Sequence, residues 1–186
     1  MKTLLTLFFL FFSSSLFAED ISDFEIERMS IGDSLFDYFS EEEINNEFEI
    51  KLYEIPEKNK YKRIYIKNKI FKDYEYISID VKYNDSNYTI YGVNGMLDYS
   101  DPKNCFKKQD QIIKNLSSIF IESPNRFVVP SSYDSTGQSK LHYAEYSVNK
   151  GFIQIICYDF AKHTKIKSGL DVSIISKEFQ DWLDQI

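Results

Sequence analysis

The chain has 186 residues, 43% hydrophobic and 17% aromatic, with a formal net charge of −7. That length suits one domain with a sizeable core. The acidic balance excludes nucleic acid and anionic membrane surfaces as partners, because the chain would repel both.

Residues 1–18 predict a secretory signal peptide. Lys2 precedes a nine-residue apolar run, "LLTLFFLFF" at 4–12, and "SSSLFA" leads to Ala18 before Glu19. The run is about half of the roughly 20 residues needed to span a bilayer. Glu19 is not the cysteine of a lipoprotein site, and no later apolar run is long enough to span. Removing 18 residues would leave 168 as a single α+β domain, 19–186, with no transmembrane segment. Loss of Lys2, the only charge removed, would move the net charge to −8. The expected location is periplasmic or secreted. In such an oxidising compartment the only two cysteines, Cys105 and Cys157, are most simply a disulfide.

In chain order, "FEIERMSI" (24–31) alternates loosely and predicts a short strand. A helical stretch follows at 34–47, either two short helices or one broken at Ser40. "FEIKLYEI" (48–55) predicts a strand that Pro56 stops, since proline has no N–H for the ladder. "KNK" is a turn, and "YKRIYIK" (61–67) returns as a strand. "YEYISIDVKY" (74–83) is the clearest strand: Ile77, Ile79, Val81 and Tyr83 share one face, Tyr76, Ser78, Asp80 and Lys82 the other. "NDSN" turns it into "YTIYGVNG" (88–95). One apolar and one wet face is the pattern of an antiparallel sheet.

"DPKNCFKKQDQIIKNLSSIF" (101–120) predicts the longest helix, capped by Asp101 with Pro102 at its first position. Its stripe is Cys105, Phe106, Ile112, Ile113, Leu116 and Phe120, with Gln109 a polar exception. "FVV" (127–129) is extended, and 130–139 is the longest irregular segment. "KLHYAEYSV" (140–148) and "FIQIICYDF" (152–160) flank Asn149-Lys150-Gly151 as a hairpin in which Gly151 takes positive φ. "LDVSII" (170–175) is a strand, and Ser176 caps a terminal helix. The expected fold is α+β: a single antiparallel sheet packed against the long 101–120 helix, with short N-terminal and C-terminal helices. The disulfide would staple helix to sheet.

"SIGDSLFDYFSEEEI" (30–44) raises a catalytic reading. Gly32-Asp33-Ser34-Leu35 resembles the nucleophile block of the GDSL esterases and lipases, which implies Ser34 as nucleophile, Asn94 of Gly92-Val93-Asn94 in an oxyanion hole, and Asp159 with His163 completing a triad. The chain departs from that pattern. Gly95 replaces the aspartate after Asn94, one residue too many separates Asp159 from His163, and no glycine lies between 33 and 91. A parallel sheet would also need a first strand apolar on both faces, and Glu25, Glu27 and Arg28 interrupt it. The alternative reading makes Asp33 or Ser34 a helix cap, and Ser40 with Glu43 a capping box. "FEIERMSIGDSLFDYFSEEEI", "NCFKKQDQI", "GFIQIICYDF" and "ISKEFQDWL" also resemble a family of small uncharacterised exported proteins of Gram-negative bacteria with AT-rich genomes. That resemblance implies export, a shared fold and a structural role for both cysteines, and it brings no activity.

Two histidines, His142 and His163, without a supporting ligand set predict no metal site. No phosphate loop or dinucleotide fingerprint predicts a cofactor. The leading expectation is a non-enzymatic binding or envelope-accessory domain. It would take a small molecule, peptide or envelope protein on the outer sheet face, at Tyr76 and Tyr91, or on the 130–139 loop, at Tyr133 and Asp134. A Ser34 hydrolase and a purely structural envelope protein are the alternatives.

Overall fold

The computed structural model describes residues 20–46, 48–52, 60–67, 69 and 71–185. The expected signal peptide, the stop at Pro56 and most of the turn before residue 60 lie outside the described residues.

Eight strands form one antiparallel sheet: β1 (Glu49–Leu52), β2 (Tyr61–Ile66), β3 (Tyr76–Lys82), β4 (Ile90–Tyr99), β5 (Asn125–Pro130), β6 (Lys140–Val148), β7 (Gly151–Asp159) and β8 (Ser168–Ser176). Their order is β1-β2-β3-β4-β8-β7-β6-β5. The first four strands form a meander that stops at the centre of the sheet. Helix α2 (Pro102–Leu116) then crosses to the far edge, and the second meander returns until β8 pairs with β4. Two short α-helices, α1 (Glu41–Asn46) before the sheet and α3 (Lys177–Leu183) after it, and three single-turn 3-10 helices at Ile21–Asp23, Leu35–Asp37 and Lys162–Thr164 complete the described secondary structure.

Antiparallel pairing sets each residue opposite one on the same face. Ile64, Ile79, Val93, Ile174 and Ile153 therefore share a buried face with Ile66, Ile77, Val172, Ile155 and Cys157. α2 covers this face with buried Cys105, Gln109 and Leu116. The N-terminal segment adds Ile21, Phe24, Ile26, Met29, Leu35 and Ile44 to the same core, and Phe24 stacks on Phe120 at 5.6 Å.

Gln109 explains its place in an apolar stripe. Its amide donates to the carbonyls of His142 (2.9 Å) and Ile155 (2.7 Å), tying α2 to β6 and β7. Gln109→Leu leaves both carbonyls short of a donor and is expected to cost about 1–3 kcal/mol in urea unfolding. A neutral substitution would mean that the helix is held by apolar contact alone.

The disulfide is present: Cys105 and Cys157, both fully buried, join α2 to β7 with Cα atoms 5.8 Å apart. The caps are as the sequence implies, with Asp101 accepting from Lys103 N–H and Ser176 from Phe179 N–H. α2 is shorter than expected. The Ser117 and Ser118 hydroxyls take the Lys114 and Asn115 carbonyls, and the regular helix ends at Leu116.

Three local expectations are corrected. The 24–31 segment is no strand: Ile26 pairs with Met29 across a tight turn whose residues Glu27 and Arg28 have φ of 50° and 74°. In the β6–β7 hairpin Lys150, not Gly151, takes positive φ (62°). Gly151 is needed because a Cβ there would stand 2.4 Å from the Ile175 carbonyl oxygen and 2.7 Å from Ile21. The face away from α2 is not uniformly wet. Ser78, Asp80, Asn94, Gln154, Asp171 and Ser173 lie on it and are buried.

Candidate functional site: a charged cleft on the sheet

The buried polar face is built by register. Arg63 pairs across strands with Asp80, Asn94 with Ser78 and Ser173, Ser173 with Gln154, and Gln154 with Glu145. One row of polar side chains, Ser78, Asn94, Ser173, Gln154 and Glu145, therefore crosses the sheet from β3 to β6, and the Arg63–Asp80 pair lies in the next row on the same face. Helix α3 starts where β8 ends and folds back over one end of this face. There Phe179 and Trp182 pack on Tyr61 at 4.8 and 5.0 Å. Between α3 and the aromatic residues of β5 and β6 lies a cleft of about 400 Å³. Arg63, Asn94, Gln154, Asp171 and Ser173 contribute to its floor, Phe127, Tyr143 and Tyr158 to one side, and Gln180, Leu183 and Asp184 to the α3 wall.

At the floor the Arg63 guanidinium grips Asp80 in two hydrogen bonds, Nε to Oδ1 at 2.7 Å and Nη2 to Oδ2 at 2.8 Å. The Asp80 side chain is fully buried, whereas Arg63 keeps 25% of its side-chain surface exposed. The pair survives burial because the fork geometry matches the carboxylate. Gly92 makes room for it: a Cβ there would stand 2.9 Å from Asp80 Oδ2. The Asn94 amide donates to the Ser78 carbonyl, the Ser78 hydroxyl and Asp80 at 3.2–3.3 Å.

Asp171 is the second buried acid. Burial pushes its carboxyl up to about 6, and neighbouring Asp80 adds to the rise. Hydrogen bonding from Ser173, the Arg63 charge and the Tyr158 hydroxyl pull the other way. Burial also raises the phenols of Tyr143 and Tyr158, so both remain neutral hydroxyls.

Unfolded, the Asp171 carboxyl titrates near 3.8. Between about pH 4 and 6 the folded protein therefore holds a proton that the unfolded chain has lost. Its contribution to stability falls as pH rises over that window and levels off above it. Asp171→Asn mimics the protonated form, so the stability of the variant relative to wild type is expected to rise from pH 4 to pH 7. Urea unfolding at several pH values measures this, and a difference independent of pH would contradict it.

The residues singled out from sequence are scattered. Ser34 is a cap: its oxygen accepts from Phe36 N–H, and its hydroxyl donates to the Asn87 carbonyl at 2.7 Å. Gly32 turns the chain with φ of 97°, and Asp33 accepts from Ser30 N–H and the Tyr38 hydroxyl. Ser40 and Glu43 form the capping box, and the Lys69 ammonium, with Ser40, holds the Glu43 carboxyl down to about 2. Ser34 is bridged to Thr89, just before β4 begins. His163 precedes β8, whose first residue, Ser168, pairs with Tyr99 at the other end of the ten-residue β4. Roughly 30 Å of strand separates the two. Asn94 faces the cleft, and Asp159 pairs with Lys140 at the end of β7. The structure does not bring Ser34, Asn94, Asp159 and His163 together.

Tyr76 lies on the cleft face of β3, directly opposite Met96 of β4, without lining the cleft. Tyr91 packs on Tyr61 at 5.4 Å, with the Lys82 ammonium 4.4 Å from its ring. Tyr133 is 76% exposed, 6.5 Å from the Phe160 ring. Asp134 spends its oxygens inside the 130–139 loop. It accepts from Thr136 and Ser139, backbone and hydroxyl alike, and meets His163 Nε2 at 3.1 Å. These bonds, Thr136 first, hold its carboxyl well below the usual range. His142 is half-buried against α2, with Phe106 edge-on at 4.8 Å and its buried Nε2 without a hydrogen-bond partner among the described residues. No group of three or more His, Cys, Asp or Glu among the described residues is arranged to hold a metal ion.

Sequence reasoning missed Arg63, Asp171, Gln154, Tyr143 and Tyr158. Two signals were present. Asp171 and Ser173 interrupt an apolar strand, and a charge inside such a run is more informative than a charge in a turn. Arg63 and Asp80 occupy alternate positions of neighbouring strands with opposite sign.

Fold and site together define an α+β domain with one fully antiparallel sheet, helix-covered on one face and bearing a charged, aromatic-lined cleft on the other. No protein family, curated protein or solved structure matches the chain.

Proposed function

We propose that this chain is an exported, non-enzymatic binding domain that holds a small molecule in the cleft beside α3. The carrying observation is the cleft itself. About 400 Å³ of open space stands over the Arg63–Asp80 pair and Asp171, within the size range of small-molecule sites. Buried charges of this kind cost stability unless paired, and their presence beside open space favours a binding role over a packing role.

Export is supported by the N-terminal pattern and by the buried disulfide, which an oxidising compartment would form. Asp20, two residues past the expected cleavage point, is already fixed to the β6–β7 turn by Lys150 (2.6 Å) and Asn149 (3.1 Å). A mature N-terminus at Glu19, read by mass spectrometry of the protein from its host, is the expected product.

The binding reading is tested by a thermal-shift screen of small molecules against wild type and Tyr143→Ala. Compounds that raise the melting temperature of wild type are expected to lose their effect on the variant. Compounds that stabilise both equally would place binding elsewhere. Covalent labelling of Ser34 by a fluorophosphonate probe would overturn the non-enzymatic part.

A further inference from the structure

Resting on the cleft being a binding site, we propose that its ligand is a small organic cation: a primary ammonium or guanidinium group on an apolar stem.

The hydrogen-bonding inventory of the lining points this way. Each of the three amide side chains gives at least one hydrogen bond inside the protein. Asn94 gives to Ser78 and Asp80, Gln154 to Glu145 at 2.8 Å, and Gln180 to Asp184 at 2.8 Å. The Ser173 hydroxyl gives to Asp171. Asn94 and Gln154 are only 4% and 8% exposed, yet their carbonyl oxygens accept from no described residue. Both line the cleft. Acceptors, the amide oxygens and the carboxylates of Glu145, Asp171 and Asp184, then outnumber the donors that remain, the Tyr143 hydroxyl and a second N–H on Gln154 and on Gln180. A sugar hydroxyl both gives and takes hydrogen bonds. An ammonium offers three donors and a guanidinium five, and neither needs a donor in return.

Charge agrees. Among the described residues Arg63 is the only cation in the lining, and Asp80 pairs with it. Glu145, Asp171 and Asp184 are then left over. In a partly dry cleft their field attracts a cation and repels an anion. The aromatic side is independent of both arguments. Phe127 and Tyr143 stack at 4.6 Å and 9°, and Phe127 is 36% exposed. Such a pair presents a π face to a cation. Leu183, Val129 and Ile175 supply apolar contact for the stem.

The test is isothermal titration calorimetry of the disulfide-intact protein at pH 7.5 with agmatine and tyramine as cations, 4-hydroxyphenylacetate as an anion of similar shape, and glucose as a neutral polyol. At least one cation is expected to bind, and its dissociation constant is expected to weaken at least tenfold in Glu145→Gln and in Asp171→Asn. Both variants nearly conserve shape, and circular dichroism checks their folds. If Asp171→Asn fails to fold, Glu145→Gln carries the comparison. Cation binding unchanged by Glu145→Gln and by every folded Asp171 variant would overturn the inference. So would binding of glucose or the anion in place of the cations. In that last case Tyr143→Ala still abolishes binding if the cleft is the site, so the binding reading survives alone. Should no probe bind and no screened compound respond to Tyr143→Ala, both fall.

Discussion

Replacing both cysteines, Cys105→Ala with Cys157→Ala, is expected to lower the unfolding free energy by about 4 kcal/mol. The bridge spans 52 residues of sequence. Closing a loop of that length removes conformational entropy from the unfolded chain worth about 4 kcal/mol in the chain-entropy model. Both sulfurs lie in the helix–sheet core, so the folded state also loses packing on truncation. Alanine avoids burying an unpaired hydroxyl. For a domain whose total stability is of the usual 5–15 kcal/mol, this is a large fraction. Urea unfolding with and without reductant measures it. Wild type in reductant should approach the double variant, and a loss under 1 kcal/mol would show that the bridge closes little of the unfolded chain.

Arg63→Met is expected to cost about 3 kcal/mol and to be partly rescued by Asp80→Asn. Asp80 has no exposed side-chain surface. Without the guanidinium it keeps the Asn94 amide, at 3.3 Å, and loses both hydrogen bonds and the opposite charge that Arg63 supplies. Breaking such a pair from one side costs about 3–5 kcal/mol. The low end applies because Arg63 keeps a quarter of its side chain in water. The double variant replaces the charge pair with a neutral amide and an apolar chain, so most of the loss should return. A double-mutant cycle with no coupling would mean that the two charges stand independently in the fold. Because Arg63 lines the cleft, Arg63→Met is also expected to change ligand binding, which separates it from the distant Gln109→Leu.

The parts of this protein that were legible in sequence are local. The β3–β4 and β6–β7 hairpins show as alternation broken by turn residues. Asp101, Ser176 and the Ser40–Glu43 box show as caps because each sits at a fixed offset from an apolar stripe. The cysteine pair shows because an even pair in a chain with a signal-peptide pattern is most simply a disulfide. The rest depends on contacts distant in sequence. Nothing in "LDVSII" says that β8 inserts between β4 and β7, and only that insertion buries Asp171. Alternation assigned Ser78 and Asp80 to the correct face, but it cannot tell a solvated face from one covered by α3 and neighbouring tyrosines. Glu27 and Arg28 bend the chain in left-handed conformations that neither residue advertises, so an alternating stretch became a turn. The tyrosines that line the cleft, Tyr143 and Tyr158, look no different in sequence from Tyr76 and Tyr91, and register alone distinguishes them. The tetrapeptide at 32–35 misleads for a related reason. A nucleophile needs partners in space, and Ser34 finds backbone groups of its own turn and of the 87–89 segment.

We propose that the cleft on the polar sheet face is where this domain binds its ligand. The most direct measurement is the amide nitrogen–proton spectrum of the labelled protein titrated with a compound that stabilises it. Shifts are expected to concentrate on Arg63, Asn94, Tyr143 to Glu145, Gln154 to Tyr158, Asp171 to Ser173 and the segment Gln180 to Asp184 at the end of α3. Shifts confined to Ser34 and its neighbours, or to the 130–139 loop and His163, would contradict it.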